Sequence, residues 1–164
     1  MKNIITIEEL NNSHSESILG LILPIQQIEF NVAVTLEGQP DLLDIEKYYI
    51  KEGGGFWGAF LNGNLVGTIA LINTGHKAGA IRKMFVKKEF RGKDLLISQQ
   101  LLKALKNYCI YKQIDDLYLG TIDVLKAAHR FYEKNGFERL TKAQLPNYFP
   151  TMMAENVYYH FKIK

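Results

Sequence analysis

The apolar and polar positions of the N-terminal third predict one short strand followed by helical segments. Residues 4–7 form a β-branched run that is typical of a strand. The apolar positions of residues 13–23 recur with the period of an amphipathic helix, which Pro24 is expected to end. Residues 26–37 fit either a second helix or an irregular segment. Residues 41–49 predict a further helix with an aspartate as its N-cap.

The middle of the chain predicts an antiparallel meander of three strands. Residues 56–61 and 65–71 are apolar runs joined by Asn62-Gly63-Asn64. An Asn-Gly step between such runs favours a tight hairpin, because both residues tolerate positive φ. A third strand is predicted over residues 80–86, after a glycine-containing turn.

After the meander the period changes, and helices alternate with strands. Leucines and aromatic residues first recur at helical spacing, and then residues 116–121 are typical of a strand. A second helix is predicted over residues 125–135, and two last strands over residues 137–140 and 156–163. Strand, helix and strand in this order imply a right-handed parallel crossover. The predicted fold class is therefore α/β, with a mixed and mostly antiparallel sheet flanked by helices.

Length, charge and cysteine content narrow the class of protein. A chain of 164 residues fits one domain and buries a core without needing a disulfide or a metal. The net charge of +3 is small for a nucleic-acid-binding protein. The single cysteine, Cys109, excludes an internal disulfide, and the four scattered histidines have no metal-ligand spacing. No signal peptide and no membrane-spanning stretch are expected, so we predict a cytoplasmic protein without a metal, nucleic-acid or membrane partner.

The basic residues are densest in one segment, where a predicted strand passes through a short turn into a predicted helix. The first turn of a helix leaves N–H groups without partners, and its dipole favours negative charge. A local anion site that suits phosphates is one interpretation, and an ordinary turn with solvated lysines is the other. The residues concerned are Arg82, Lys83, Lys87, Lys88, Arg91 and Lys93.

A second segment, residues 127–137, combines a helix, a glycine that ends it and an aromatic residue that begins a strand. Together, and about forty residues apart, the two segments resemble the GNAT superfamily of N-acetyltransferases. One motif of that superfamily, Arg/Gln-x-x-Gly-x-Gly/Ala, opens the helix after the fourth strand. Its second pattern, Ala-x-x-x-Tyr-x-x-x-Gly-Phe, is matched by Ala128, Tyr132, Gly136 and Phe137.

The resemblance implies a GNAT (acyl-CoA N-acyltransferase) fold in a single N-acetyltransferase domain, residues 1–164, with strands 4 and 5 splayed apart. It implies acetyl-CoA as the acetyl donor, with its pantetheine arm along the fourth strand and its pyrophosphate on the following turn. Tyr132 would occupy the place of the tyrosine that protonates the departing thiolate. The implied cofactor-binding residues are Met84, Phe85, Val86, Arg91, Gly92, Lys93, Asp94, Leu95 and Leu96.

The sequence departs from the family at the phosphate turn. Arg91 matches the first motif position, but Asp94 stands where glycine is usual and Leu96 where glycine or alanine is usual. A carboxylate beside a pyrophosphate costs on the order of 1 kcal/mol in water-like surroundings. An acidic residue also suits the first turn of a helix, which is the alternative reason for Asp94.

The proton acceptor is also open. Many family members carry a glutamate just before the stretch that matches residues 81–84, and no acid stands there in this chain. An amine with a pKa near 10.4 is only about 0.04% neutral at pH 7, so a group must accept its proton. Glu29, Glu37, a water chain or an intrinsically less basic amine are the alternatives.

The expected function is transfer of an acetyl group from acetyl-CoA to a primary amine of a small molecule or peptide, by direct attack in a ternary complex. The alternative is a non-catalytic coenzyme A-binding or regulatory GNAT-like module. An exposed strand edge over residues 157–161 would suit a homodimer. By family layout, the residues expected to line the substrate site are Glu29, Phe30, Trp57, Tyr148 and Phe149, and core packing is the alternative for the aromatic ones.

Overall fold

The computed structural model describes residues 4–92, 95–152 and 155–163 and shows a seven-stranded sheet flanked by helices. The sheet order is β1-β2-β3-β4-β5-β7-β6, and its neighbouring strands are antiparallel except for the parallel pair β4–β5. This confirms the predicted fold class. The strands are β1 (Ile5–Glu9), β2 (Gly55–Leu61), β3 (Asn64–Gly75), β4 (Ala78–Val86), β5 (Asp116–Thr121), β6 (Glu138–Leu140) and β7 (Val157–Lys162), and the helices are α1 (Ser15–Pro24), α2 (Ile97–Tyr111) and α3 (Lys126–Lys134).

Two apolar cores lie on opposite faces of the sheet because successive strand side chains point to opposite sides. Along β2, Trp57 and Ala59 face the core that includes α2, whereas Phe56 faces the core that includes α1. Leu101 of α2 and Ile18 of α1 are fully buried in these two cores. The sheet is therefore the middle layer of the molecule.

The predicted hairpin is present between β2 and β3. Asn62 and Gly63 both have positive φ, 51° and 87°, as a tight hairpin turn of this kind requires. The next turn, between β3 and β4, relies on His76 and Lys77, whose φ values are 60° and 54°. The meander of three antiparallel strands is thus confirmed.

In the N-terminal third, one prediction is confirmed and one is wrong. Pro24 is the last residue of α1, as predicted, and the chain then continues through a wider π-helical turn, Ile25–Glu29, in which the Phe30 amide donates to the Ile25 carbonyl at 3.0 Å. The predicted helix over residues 41–49 is broken into a short 3-10 turn and a π turn, and its N-cap is not Asp41. The Asp41 carboxylate instead accepts a hydrogen bond from the Tyr49 hydroxyl at 2.6 Å.

The C-terminal strand is not an exposed edge, contrary to the sequence prediction. β7 lies between β5 and β6 and pairs with both, so the sheet ends on β6, which has three residues. Within the described ranges, no helix is both long and apolar enough to cross a membrane.

Candidate active site

β4 and β5 run side by side over three residue pairs and then diverge. Ala78, Gly79 and Ala80 pair with residues 116–118, after which β4 follows β3 and β5 follows β7. Two cavities of about 410 Å³ each open in the resulting wedge. Both are lined by Met84, Phe85 and Tyr132, so they are two ends of one cleft. Over Met84 and Phe85, the side of β4 that faces the cleft is a strand edge that pairs with no other strand.

A β-bulge in β4 shapes the wall of this cleft. Lys83 and Met84 together oppose a single residue of β3, because Thr68 pairs with Phe85 and Ala70 pairs with Arg82. Lys83 has a left-handed backbone, φ 52°, which costs a non-glycine residue about 1 kcal/mol or more. The Thr68 hydroxyl donates to the Lys83 carbonyl at 2.8 Å and holds the bulge in place.

Tyr132 projects from α3 to the point where the two cavities meet. Its side chain is 5% exposed and packs against the rings of Phe137 and Tyr159, whose centroids are 5.3 Å and 6.0 Å away. Its hydroxyl donates to the Met84 sulfur at 3.5 Å. Burial raises the pKa of Tyr132 well above its usual value, so the phenol is neutral at physiological pH. The cleft therefore contains a proton-bearing donor directed at sulfur.

The other end of the cleft adjoins the start of α2. This helix begins at Ile97, six residues after Arg91, the first position of the family motif that opens it. Residues 88–90 form a separate 3-10 turn. Its N-cap, Leu96, makes no side-chain capping bond, so the first-turn N–H groups have no capping side chain. A cavity of about 180 Å³ lies there, with Arg91, Gly92, Ser98, Gln99 and Lys134 in its wall. Lys93 and Asp94, both predicted to bind the cofactor, lie outside the described residues.

Three charged side chains line the cavity at the opposite end: Arg82, Lys83 and Glu155. Arg82 Nη1 donates to Glu155 Oε2 at 2.7 Å, and both side chains are 8% exposed. A second guanidinium nitrogen donates to the Pro150 carbonyl. Lys83 Nζ donates to the side chain of Gln39 and lies 3.7 Å from Asp41 Oδ2. This end of the cleft therefore has two positively charged side chains and one carboxylate in a largely apolar wall.

Comparison with known proteins decides the family. A model of the Acetyltransferase (GNAT) family matches residues 22–137. The chain belongs to this family. An acetyltransferase of the GNAT family from Staphylococcus aureus Mu50 is 41% identical, with a TM-score of 0.94, and the match covers 98% of this chain and 100% of that one. The fold of the GNAT family, predicted from two sequence segments, is thus confirmed.

More distant relatives show the fold alone or match part of the chain. The PaiA N-acetyltransferase of Thermoplasma acidophilum, solved in complex with coenzyme A, is 18% identical with a TM-score of 0.74, over 97% of this chain and 99% of that one. N-acetylaspartate synthetase of Xenopus tropicalis is 35% identical over 102 residues, which are 61% of this chain and 37% of that protein. The chain spans about a third of the length of these curated relatives.

Within this GNAT fold, the motif arginine is engaged by an acidic side chain from the N-terminal segment. Both terminal nitrogens of Arg91 donate to the Glu29 carboxylate, one of them at 2.8 Å, and Arg91 Nε donates to the Val86 carbonyl at 2.7 Å. The hydrogen bond from Arg91 lowers the pKa of Glu29, and partial burial opposes it. Glu29 was expected to line the substrate site or to act as the base. The structure instead pairs it with Arg91, which the resemblance assigned to cofactor binding.

The remaining predicted substrate residues are dispersed. Phe30 lines both large cavities and has the Arg91 guanidinium 5.5 Å from its ring centroid. Trp57 lies in the core on the α2 face, with its ring 5.2 Å from that of Tyr108. Tyr148 stacks on His76 at 4.2 Å, and Phe149 packs beside Arg82; neither residue is in the cavity walls.

Glu155 was missed by the sequence analysis, and Arg82 and Lys83 were noted only as part of a basic segment that fits either a local anion site or an ordinary turn. Glu155 precedes β7 in a segment without periodicity, and its partner Arg82 is 73 residues away, so no local pattern marks it. Glu37, the other proposed base, is exposed and lines neither large cavity. In the part of the chain that the structure describes, no three His, Cys, Asp or Glu side chains gather as metal ligands.

Proposed function

We propose that this protein transfers the acetyl group of acetyl-CoA to a primary amine of a small molecule or peptide, and that residues 1–164 act as one N-acetyltransferase domain. The observation that carries the proposal is the wedge between β4 and β5, with the Tyr132 phenol at its centre. Family membership and the coenzyme A complex of a structural neighbour support it. The alternative of a non-catalytic coenzyme A-binding module shares the wedge but does not require a proton donor in it.

The cleft fits the donor in two respects. The edge of β4 at Met84, Phe85 and Val86 pairs with no other strand on the cleft side and offers backbone groups to the amides of a pantetheine arm, which would add to it like a strand and would compete with Arg91 for the Val86 carbonyl. The cavity at the start of α2 offers Arg91, Lys134 and unpaired first-turn N–H groups to a pyrophosphate. Acetyl-CoA supplies the thioester carbonyl that the amine attacks.

Tyr132 would assist departure of the thiol. A thiol has a pKa near 8.5, so its thiolate leaves with little help, and a neutral phenol at hydrogen-bond distance supplies the proton or a hydrogen bond. The bond that Tyr132 already donates to the Met84 sulfur supports this orientation. The one cysteine, Cys109, is fully buried in the core and lines neither large cavity, so no thiol of the chain is placed to accept the acyl group, which supports direct attack in a ternary complex.

Glu155 is the carboxylate of the described cavity wall, and we assign it the role of proton acceptor, directly or through water. Its ion pair with Arg82 fixes it over β5. The role differs from the expected Glu29 and Glu37, whose positions do not meet the cavity wall. An amino acid is the first acceptor to test, because the curated relatives are named for N-acetylaspartate synthesis.

The test is release of free thiol from acetyl-CoA across a panel of amino acids, polyamines, aminoglycosides and peptides. Tyr132→Phe should lower kcat by about 10²-fold or more, the lower range for general acid catalysis, while coenzyme A binding is retained. Tyr111→Phe, an exposed tyrosine of α2, is the matched control and should not change the rate. Tight coenzyme A binding without turnover of any amine would favour the non-catalytic module, and absence of coenzyme A binding would overturn both.

A further inference from the structure

Lys83 stands out among the charged groups of the cleft because its charge is the least compensated. Arg82 is satisfied by Glu155 and by the Pro150 carbonyl, and these contacts tie the segment before β7 to β4. Arg82 therefore holds together two segments of the cavity wall. Lys83 has no carboxylate at such a distance.

The Lys83 ammonium is buried beside one neutral acceptor, Gln39, and one carboxylate at the long end of ion-pair distance, Asp41. Its side chain is 7% exposed, and Nζ donates one hydrogen bond to the amide oxygen of Gln39. Asp41 lies within ion-pair distance at 3.7 Å, which is longer than a charge-assisted hydrogen bond, and its Oδ2 already accepts from the Tyr49 hydroxyl. An ammonium has three N–H donors, so two remain for a ligand.

Burial of this ammonium carries an energetic cost that a ligand can offset. Desolvation lowers the pKa of Lys83, and Asp41 opposes the shift. A carboxylate arriving in the cavity would restore the lost interaction energy of the charged form. A diamine, which is cationic at neutral pH, would instead bring a second positive charge to the buried ammonium.

We propose that Lys83 binds a carboxylate of the acceptor, so that the substrate class is small amines that carry at least one carboxylate group. The inference rests on the proposed acetyl transfer. Its position supports it, since Lys83 precedes Met84, the residue whose sulfur meets the Tyr132 hydroxyl. The cavity of about 410 Å³ is the size of a small-molecule site. Glu155 in the same wall supplies the opposite charge for the ammonium of such an acceptor.

The kinetic test uses acceptors that differ in one carboxylate: aspartate and glutamate against their side-chain and α-amides, and against diamines of similar length. For the acids, Lys83→Met should raise KM by about 10- to 100-fold, the range expected for loss of one charge-assisted hydrogen bond, with a smaller effect on kcat. The monoamide that lacks the carboxylate bound by Lys83 should be acetylated equally by both proteins, and the other monoamide should respond to Lys83→Met as the acid does. Lys83→Arg should restore part of the affinity, and Lys103→Met, which removes an exposed positive charge from α2, should change nothing.

A binding measurement separates this inference from the proposed function. Succinate, a dicarboxylate without an amine, should bind the coenzyme A-loaded protein in calorimetry, whereas its diamide should not, and Lys83→Met should abolish binding. That result without turnover of any amine would refute acetyl transfer and leave the carboxylate site intact. Preference for diamines over acids, or succinate binding unchanged by a folded Lys83→Met protein, would overturn the inference and leave acetyl transfer standing. If Lys83→Met does not fold, Lys83→Gln replaces it in the same comparison.

Discussion

Replacing Gly120 by alanine tests how β5 and the segment before β7 fit together at the cleft. Gly120 lies in β5 beyond its last pair with β4, under the Glu155 carboxylate. A Cβ added to Gly120 would lie 2.4 Å from Glu155 Cδ and 2.5 Å and 2.8 Å from its two oxygens. The backbone of Gly120 is outside the left-handed region, so alanine suits the strand itself. The collision is therefore with one side chain alone.

The expected cost follows from what Glu155 must give up when it moves. It loses the 2.7 Å bond from Arg82, and a partner left charged and buried costs about 3–5 kcal/mol. It also loses the bond from the Met152 amide, which contributes about 1 kcal/mol. Because Glu155 lies outside the regular strands and can shift, we expect Gly120→Ala to lower the free energy of unfolding by about 3 kcal/mol, the low end of that range.

The assay is urea unfolding in a double-mutant cycle with Glu155→Ala. In the Glu155→Ala background the three atoms nearest to the methyl group are gone, and Gly120→Ala should be neutral or stabilising by about 0.5–1 kcal/mol, since glycine is unfavourable in a strand. Gly20→Ala in α1, where no atom lies within 4 Å of the added Cβ, is the control and should stabilise the protein. An equal loss from Gly120→Ala in both backgrounds would refute the reasoning.

Two further predictions concern the Glu29–Arg91 ion pair and the buried thiol of Cys109. Glu29→Gln should tighten coenzyme A binding by up to about fivefold in calorimetry, because an exposed ion pair worth at most about 1 kcal/mol no longer competes for Arg91; unchanged or weaker binding, or the same gain from the exposed control Glu16→Gln, would contradict this. Cys109 is fully buried, and burial raises its pKa from 9.0 to about 12. Because the pKa of the Cys109 thiol is higher in the folded than in the unfolded protein, its contribution to stability is complete below pH 9 and is lost as pH rises toward 12. Over that range the free energy of unfolding should fall by up to about 1.4 kcal/mol per pH unit relative to Cys109→Ala. Equal slopes for the two proteins, or rapid reaction of the native thiol at pH 8, would count against that burial.

The parts of the fold that the sequence predicts correctly are those with a local cause. Asn62 and Gly63 both adopt positive φ, and Gly136 does so at 88°, directly after α3. These backbone requirements depend on one or two residues and can be recognised from them. Asp41 misled the prediction because a side-chain contact competes with local preference: its carboxylate accepts a hydrogen bond from Tyr49 instead of capping a helix.

The site divides in the same way. The resemblance to the GNAT superfamily implied Tyr132 and the splayed β4 as parts of the site, and the structure brings them together in one cleft. Glu155 and Glu29 contact residues that are 73 and 62 positions away in the sequence, Arg82 and Arg91 respectively. A contact between such distant residues leaves no periodicity in the sequence, so the proposed proton acceptor and the carboxylate that pairs with Arg91 emerge only from the tertiary structure.

The basic pair Arg82-Lys83 shows how backbone geometry assigns chemistry that residue type leaves open. In a regular strand the two side chains would point to opposite faces, and one of them would lie away from the cleft. The bulge at Lys83 removes that alternation, and the partners of both side chains, Glu155 and Gln39, line the same cavity. The left-handed backbone of Lys83, which costs about 1 kcal/mol or more, therefore places a second cation in the cavity that Tyr132 also lines. Residue type alone left a phosphate site open for this pair, whereas the bulge supports the acceptor-binding role that we propose for Lys83.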